Sequence, residues 1–399
     1  MASELIRPPF DLDRLRADTP GVANRIHLNN CGAALMPRPV IEAVQRHIDL
    51  EAEIGGYEAA ELKATEAGAV YDSIARLIGA SRAEIAILEN ATLAWDMAFY
   101  SLRFREGDRI LTAQAEYGAN YVAYLQISRR TGAVVEVIPS DETGETDPKA
   151  LESMIDDRVK LISVTWIPTN GGLINPAAEI GRIARRHGIL YLLDACQAAG
   201  QLPIDVGALG CDMLSATGRK FLRGPRGTGF LYVRRDLIEQ LEPPMIDHFA
   251  SEWVAPDRYR LRADARRFET WENAYALRLG LGAAVEYALD VGMERIAARC
   301  FALSRRLRAA LADLPRVTVY DLGRDPGAIV TFAIDGMESA KVKEALGRRT
   351  INVTVSRPSS TLLDATARHL PVVVRASPHY YNSEAEIDAA VEAVKALLQ

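Results

Sequence analysis

The sequence predicts an α/β protein in which a large domain with a mostly parallel β-sheet is followed by a small C-terminal α+β domain. The first observation is the alternation of short β-branched runs with amphipathic stretches in the middle of the chain, which is typical of parallel strands joined by helices. Between two such runs, Ile180, Ile183, Ala184 and His187 follow helical spacing, and Gly188 is placed to end that helix. The strands are predicted at residues 85–88, 109–112, 134–138, 161–165 and 189–193.

The second observation is a change of pattern after about residue 285. A long amphipathic helix is predicted there, and Pro315 stops it. Two short strands follow at 329–334 and 372–375, and a last helix carries Ile387, Val391, Val394 and Leu398 on one face. We therefore divide the chain into an N-terminal segment packing on the small domain (1–25), a large domain (26–284) and a small domain (285–399).

Composition favours a small-molecule partner. The chain has 399 residues with 49% hydrophobic content and a net charge of −6, so it offers no basic field for nucleic acid or an anionic membrane. Its four cysteines have neither disulfide-framework nor zinc-site spacing, and no metal site is expected. No apolar run is long enough to span a membrane. We expect a soluble, cytoplasmic protein.

The most informative segment is an apolar strand that ends at Asp194 and continues to Gln197. Ligands of open α/β sheets bind at the carboxyl ends of strands, although a lone Asp there is more often a turn or cap residue. The balance changes with Thr217-Gly-Arg219-Lys220, which is followed by a Gly-Pro-x-Gly-x-Gly run. Alone, Lys220 would be an exposed lysine in a glycine-rich turn.

Together these segments resemble the cofactor site of the aminotransferase class V family, whose members have the fold type I architecture and bind pyridoxal 5'-phosphate. The resemblance implies that Lys220 holds the cofactor as an imine, that Asp194 pairs with the ring nitrogen and that Gln197 contacts the phenolic oxygen. The chemistry is consistent with these roles, because a carboxylate keeps the ring nitrogen protonated and the ring electron-poor. A desolvated lysine can act as nucleophile and then as base.

The phosphate is expected at the helix start that contains Thr92 and Leu93, where free backbone N–H groups favour an anion. The resemblance adds Thr217 and Arg219 to this site, with Arg219 where many relatives carry histidine. Read alone, this segment would be an ordinary capped helix. Tyr117 takes the position of the histidine that stacks on the cofactor in desulfurases; a packing or surface role is its alternative.

For the substrate, Arg375 resembles the arginine that binds the α-carboxylate in the family, with a structural salt bridge as the alternative. Asn170 resembles an asparagine that contacts both cofactor and substrate. Asn30 lies in a segment that resembles the loop covering the substrate, and we also assign Arg357 to substrate binding.

Two departures from the family bear on the reaction and on assembly. The segment 357–366, which in desulfurases carries the sulfur-accepting cysteine, has none, so the sequence predicts that this is not a cysteine desulfurase. Relatives also place a threonine at the phosphate of the neighbouring subunit, where this chain has Glu272 followed by Asn273. The segment still predicts a homodimer.

The residues 51–61 and 116–118 resemble the hercynylcysteine sulfoxide lyase branch. The predicted reaction is therefore β-elimination at a C–S bond of an S-substituted cysteine or its sulfoxide. The alternatives are a transaminase or epimerase like isopenicillin N epimerase, and a non-catalytic protein that binds the cofactor.

Overall fold

The computed structural model describes residues 10–399, so the first nine residues of the predicted N-terminal segment lie outside the described chain. The strands in chain order are β1 (Ile26–His27), β2 (Ile85–Leu88), β3 (Arg109–Ala113), β4 (Val134–Ile138), β5 (Val159–Thr165), β6 (Leu190–Asp194), β7 (Met213–Thr217), β8 (Gly229–Val233), β9 (Ser251–Ala255), β10 (Arg258–Leu261), β11 (Val317–Val319), β12 (Val330–Ile334), β13 (Ile351–Asn352), β14 (Thr354–Ser356) and β15 (Val373–Ala376).

Helices cover both faces of the main sheet and one side of the C-terminal sheet. They are α1 (Leu12–Ala17), α2 (Arg38–Ile54), α3 (Gly56–Leu62), α4 (Ala64–Ile78), α5 (Ala91–Phe99), α6 (Gly118–Thr131), α7 (Pro148–Ser153), α8 (Ala177–His187), α9 (Val206–Leu209), α10 (Arg235–Ile238), α11 (Tyr275–Val291), α12 (Met293–Ala312), α13 (Ser339–Arg348), α14 (Leu362–Ala367) and α15 (Glu384–Lys395).

The main sheet has seven strands in the order β2-β8-β7-β6-β5-β3-β4. β8 runs antiparallel to both β2 and β7, and the other neighbours pair in parallel. Six strands therefore point the same way, and their carboxyl ends open to one edge, where ligands of such sheets bind. This confirms the predicted α/β fold with a mostly parallel sheet.

The sheet is buried on both faces, which explains why its strands read as nearly continuous apolar runs rather than alternating ones. β3, β7 and β8 are buried along their whole length. One core contains Leu193 and Leu214 and lies against α4, α8 and α11; a second contains Leu192 and Met213 and lies against α5 and α6. The alternation along each strand thus divides its side chains between two cores.

The C-terminal part forms a four-stranded antiparallel sheet in the order β11-β12-β15-β14. α12, α13 and α15 pack on it through a separate core that includes Leu307, Phe332 and Val391. In the N-terminal part, Arg16 of α1 is ion-paired with Glu386 of α15. The domain boundaries at residues 25 and 284 stay a prediction. No helix between residues 10 and 399 is long and apolar enough to cross a bilayer.

Candidate active site

A cavity of about 210 Å³ opens at the carboxyl edge of the main sheet. Five strand ends or the loops after them contribute to it, because β2, β3, β5, β6 and β7 all point to this edge. Its lining residues are Asn90, Ala91, Thr92, Tyr117, Thr165, Ile167, Thr169, Asp194, Cys196, Gln197, Thr217, Arg219 and Lys220. The structure thus brings together seven of the residues selected from the sequence: Thr92, Tyr117, Asp194, Gln197, Thr217, Arg219 and Lys220.

Asp194 ends β6 as a buried carboxylate with defined partners. Its Oδ1 accepts the backbone N–H of Cys196 at 2.8 Å, and its Oδ2 accepts Asn120 Nδ2 at 3.0 Å. Burial raises the pKa of this carboxyl, whereas the two hydrogen bonds and the charge of Lys220 act in the opposite direction. A buried acid without a directly paired cation is suited to receive one from a ligand.

Gln197 leaves a buried oxygen without a partner. Its Nε2 donates to the carbonyl of Cys31 at 3.2 Å, while its Oε1 is buried and accepts no hydrogen bond from the described residues. Such an orphaned group is costly unless a ligand satisfies it. An amine, a carboxylate and an unpartnered amide oxygen in one cavity are the groups that an aromatic aldehyde with a ring nitrogen and a hydroxyl requires.

The start of α5 forms the next wall of the cavity. Asn90 caps the helix, since its Oδ1 accepts the N–H of Leu93 at 2.9 Å, and Ala91 and Thr92 line the cavity. Gly229 permits this approach: a Cβ there would lie 2.6 Å from the carbonyl carbon of Asn90. The result is a helix N-terminus held against the sheet edge, which suits an anion. Leu93 itself does not line the cavity.

Arg219 and Thr217 lie in the cavity wall with protein partners of their own. Arg219 Nη1 donates to the carbonyl of Gly32, so the guanidinium also ties down the N-terminal loop. Thr217 Oγ1 donates to the carbonyl of Thr228 at 3.2 Å. Their predicted contacts with phosphate stay predictions.

The loop after Lys220 is anchored by Arg223, which sequence reasoning passed over. Arg223 has a positive φ of 61° and a buried side chain whose guanidinium lies 4.4 Å from the Tyr381 ring centroid and 5.0 Å from that of Tyr380. Its backbone N–H donates to the carbonyl of Lys220 at 2.9 Å. Lys220 therefore sits on a turn that is held by the contacts of Arg223 with Tyr380 and Tyr381.

The predicted substrate residues cluster beside the cavity rather than in its wall. Arg375 Nη1 donates to the carbonyl of Thr169 at 3.0 Å and also to its hydroxyl. Its Nε is buried and has no partner among the residues that the structure describes. The salt-bridge alternative has no support, because Arg375 forms no ion pair with an acid among residues 10–399. Thr169 lines the cavity, so Arg375 borders it through this contact.

Asn170, Arg357 and Asn30 have structural contacts that the sequence did not reveal. Asn170 donates to Thr361 Oγ1 at 2.8 Å and to the carbonyl of Arg357 at 3.3 Å, so it tethers the segment 357–366. The Arg357 side chain is exposed. Asn30 is buried, donates to the carbonyl of Ser377 at 2.7 Å and accepts from another side chain. Their substrate contacts stay predictions.

The segment 357–366 folds as a short 3-10 helix (Pro358–Thr361) that leads into α14. It packs on the start of α6, where a Cβ on Gly118 would lie 2.9 Å from the carbonyl oxygen of Ser359. The position of the missing cysteine is therefore filled by a compact element beside Tyr117, which is 37% exposed. Of the four cysteines, Cys196 is the one that lines the cavity.

No role was assigned from the sequence to two further residues behind the cavity. Glu116 is buried after β3, and Asn120 lies one helical turn later on α6. Glu116 precedes α6, which begins at Gly118, so the available signal was a pair of polar residues shortly after a predicted strand. Asn120 reaches Asp194, which is 74 residues away in sequence.

Comparison with known proteins identifies relatives that cover nearly the whole chain. A protein of Methanothermobacter thermautotrophicus named "Probable cysteine desulfurase" is 32% identical over 381 residues, which is 94% of each chain. Cysteine desulfurase of Haloferax volcanii is 26% identical over 97% of both chains. Among solved structures, cysteine desulfurase from Thermococcus onnurineus superposes with a TM-score of 0.89 at 27% identity, covering 100% of this chain and 99% of that one.

These relatives correct the predicted reaction. The prediction of β-elimination at a C–S bond, with transaminase or epimerase as alternatives, is wrong, and so is the exclusion of a cysteine desulfurase. The finer resemblance to the hercynylcysteine sulfoxide lyase and isopenicillin N epimerase branches receives no support either. The absence of a thiol from the segment 357–366 bears on the sulfur acceptor alone, whereas the relatives match nearly the whole chain.

The family-level prediction is confirmed. The family model described as "Aminotransferase class-V" matches residues 26–390. A more distant structure of the same fold, a C-DES variant with 24% identity and a TM-score of 0.86, carries a pyridoxal phosphate cofactor. The chain therefore belongs to the aminotransferase class V family, and with the cavity described above this membership confirms pyridoxal 5'-phosphate as the cofactor.

Proposed function

We propose that this protein is a cysteine desulfurase, which removes the sulfur atom of cysteine and leaves alanine. The relatives named above support the proposal, since they align over nearly the full length of both chains. The observation that carries it is the cavity in which Lys220, Asp194 and the unpartnered Gln197 oxygen lie together, bordered by Arg375 with a free buried Nε. These groups can hold the cofactor and an amino acid at the same time.

In this proposal the chain holds the cofactor at several points. Lys220 bonds its aldehyde, Asp194 pairs with the ring nitrogen, Gln197 binds the phenolic oxygen and Tyr117 covers the ring. The phosphate is bound by the start of α5 and the end of β7, through Thr92, Leu93, Thr217 and Arg219, while Asn170 contacts the ring oxygen. When bound, the cofactor withdraws electrons from the substrate Cα.

Arg375 is proposed to bind the substrate α-carboxylate. Its guanidinium is held in a fixed direction by two bonds from one nitrogen to Thr169, which leaves the other nitrogens to grip a carboxylate bidentately. Arg357, Asn170 and Asn30 are proposed as further contacts at the mouth. Lys220 would be the base placed to move the proton at the substrate Cα.

Because the segment 357–366 contains no cysteine, the sulfur acceptor must differ from that of a desulfurase that has a cysteine there. Burial raises the pKa of the Cys196 thiol, which keeps it protonated and weakly nucleophilic near neutral pH. We therefore propose an external thiol as the acceptor. Its sulfur bonds to the substrate sulfur as the Cβ–S bond breaks, and the electron pair stays on Cβ, which takes up a proton. The four free thiols support a reducing, cytoplasmic compartment.

The test is a product analysis with L-cysteine and dithiothreitol. We expect alanine and sulfide in equal amounts, at a rate that rises with the thiol concentration. Lys220→Ala serves as the inactive control. Pyruvate and ammonia in place of alanine would overturn the proposed reaction. A persulfide on Cys196, detected by mass spectrometry, would contradict the external acceptor.

We also propose a homodimer, as expected from the sequence. Within residues 10–399, β9 and β10 pair only with each other, and their hairpin exposes Trp253 at 71% and Tyr259 at 48%. Such an apolar patch on a projecting hairpin is typical of an interaction surface. Nearby, Glu272 is exposed and Asn273 has a buried Oδ1 without a partner. Light scattering should give twice the chain mass, and Trp253→Ser should weaken the dimer; a monomeric wild type would contradict this.

A further inference from the structure

A second buried carboxylate lies behind the cavity. Glu116 is 3% exposed and accepts five hydrogen bonds, all from uncharged donors. They come from Thr112 Oγ1 at 3.0 Å, Tyr117 N at 2.9 Å, Asn120 Nδ2 at 2.9 Å, Thr165 N at 3.0 Å and Thr165 Oγ1. Because an ionised carboxylate only accepts hydrogen bonds, the charged form can make all five of these bonds. The donors belong to β3, β5 and α6, so Glu116 joins three of the elements that form the cavity.

One amide group links Glu116 to the cofactor carboxylate. Asn120 Nδ2 donates to Glu116 Oε1 at 2.9 Å and to Asp194 Oδ2 at 3.0 Å. An amide nitrogen carries two hydrogens, so each carboxylate receives one, and neither the asparagine nor Asp194 can turn without losing a bond. The other Asp194 oxygen is held by the Cys196 N–H. The orientation of Asp194 toward the cavity thus depends on Glu116 through a single side chain.

Glu116 also acts on Asp194 through its charge. Burial, together with the charge of Asp194, raises the pKa of Glu116 to about 7, although its hydrogen bonds oppose this rise. The other titratable groups that face it are Tyr124 and Tyr191, and burial raises the pKa of both phenols, which keeps them neutral. Two carboxylates joined in one buried site stabilise a cation that binds in the cavity beside them.

We propose that Glu116 is a positioning residue that, through Asn120, orients Asp194 and adds the negative charge that keeps the ring nitrogen of the bound cofactor protonated. The proposal rests on the proposed contact between Asp194 and the ring nitrogen and goes beyond it. It assigns no direct cofactor contact to Glu116. The role is therefore specific to one atom of the cofactor, and this makes it separable from a general effect on folding.

The test compares two ligands of the apoprotein: pyridoxal 5'-phosphate and its analogue with carbon in place of the ring nitrogen. For Glu116→Gln we expect the dissociation constant of the natural cofactor to rise at least about 10-fold, with about 2-fold change or less for the analogue. Asn120→Ala, which cuts the bridge and leaves the acid, should act in the same direction. Asp212→Asn is the matched control, since Asp212 is a buried carboxylate at the opposite end of the sheet that accepts Tyr191 N–H.

A second measurement reads the ring nitrogen directly. With ¹⁵N-labelled cofactor, Glu116→Gln should move the ring-nitrogen signal toward the neutral form at neutral pH, and Asp212→Asn should not. Equal weakening of both ligands by Glu116→Gln and Asn120→Ala would reduce Glu116 to a structural residue and overturn the inference. If Asp194→Asn changes the ratio of the two constants but neither other variant does, the inference alone fails. If Asp194→Asn also leaves the ratio unchanged, the proposed Asp194 contact is wrong.

Discussion

Replacing Arg223 by methionine should destabilise the protein strongly, although Arg223 touches neither the cavity nor any acid. Its guanidinium is buried and donates to Leu35 O at 2.8 Å, Tyr380 Oη at 2.7 Å and Thr19 Oγ1 at 2.6 Å. Residues from the N-terminal and C-terminal regions thus meet at one side chain, which lies three residues after Lys220 in the sequence. Methionine fills a similar length but offers no donor.

The magnitude follows from the acceptors left without a partner. Each unsatisfied buried acceptor costs about 1–3 kcal/mol, and lost cation–π contact with the tyrosine rings at 4.4 and 5.0 Å costs up to about 2 kcal/mol more. The relief from no longer burying a charge offsets part of this. We therefore expect the free energy of unfolding to fall by about 3–5 kcal/mol.

Urea unfolding of the apoprotein, followed by circular dichroism, measures this change. Arg226→Met is the matched control, because Arg226 lies in the same loop with an exposed side chain and should change stability by less than about 0.5 kcal/mol. A loss below about 1 kcal/mol for Arg223→Met would refute the reasoning, since it would mean that the three acceptors find new partners at no cost.

Three further outcomes are expected. Lys220→Ala should abolish the visible absorbance of the covalently held cofactor, and persistence of that band would contradict the assignment. Arg375→Ala should raise KM for cysteine with a loss of about 2–5 kcal/mol in binding, with Arg375→Lys recovering only part of it; an unchanged KM would argue for a purely structural arginine. The folded state raises the pKa of Glu116 to about 7 and therefore holds its proton more tightly than the unfolded state does. The free energy of unfolding should then fall by about 3 kcal/mol as pH rises from about 4.5 to 7. Urea titrations of apoprotein should show this slope and its loss in Glu116→Gln; parallel slopes would count against it.

Local sequence patterns predicted many of the elements closely. β2 and β4 have the predicted bounds, and α8 ends at Gly188, which adopts a left-handed conformation with φ of 65°. These features are set by neighbours within a few residues: side-chain periodicity, a missing Cβ, a β-branched run. β7 and β8 were not predicted. The segment between them contains Lys220 and several glycines, and these glycines led us to assign the whole region to a loop.

The candidate site likewise contains features that the local sequence predicted and features that it did not. Asp194, Gln197 and Lys220 were selected from the sequence because the segments that contain them resemble the cofactor motif of the family. The predicted reaction was wrong because it relied on the absence of a cysteine from the segment 357–366 and not on the fold around that segment.

From the chain alone follow the α/β class and the candidate site residues Lys220 and Asp194, since these depend on short-range pattern and motif. The folded molecule alone shows that β8 runs against its neighbours, that Arg223 has its partners in both terminal regions, and that Asn120 bridges Glu116 to Asp194. These facts depend on contacts between residues far apart in sequence, and such contacts exist only after the chain has closed on itself.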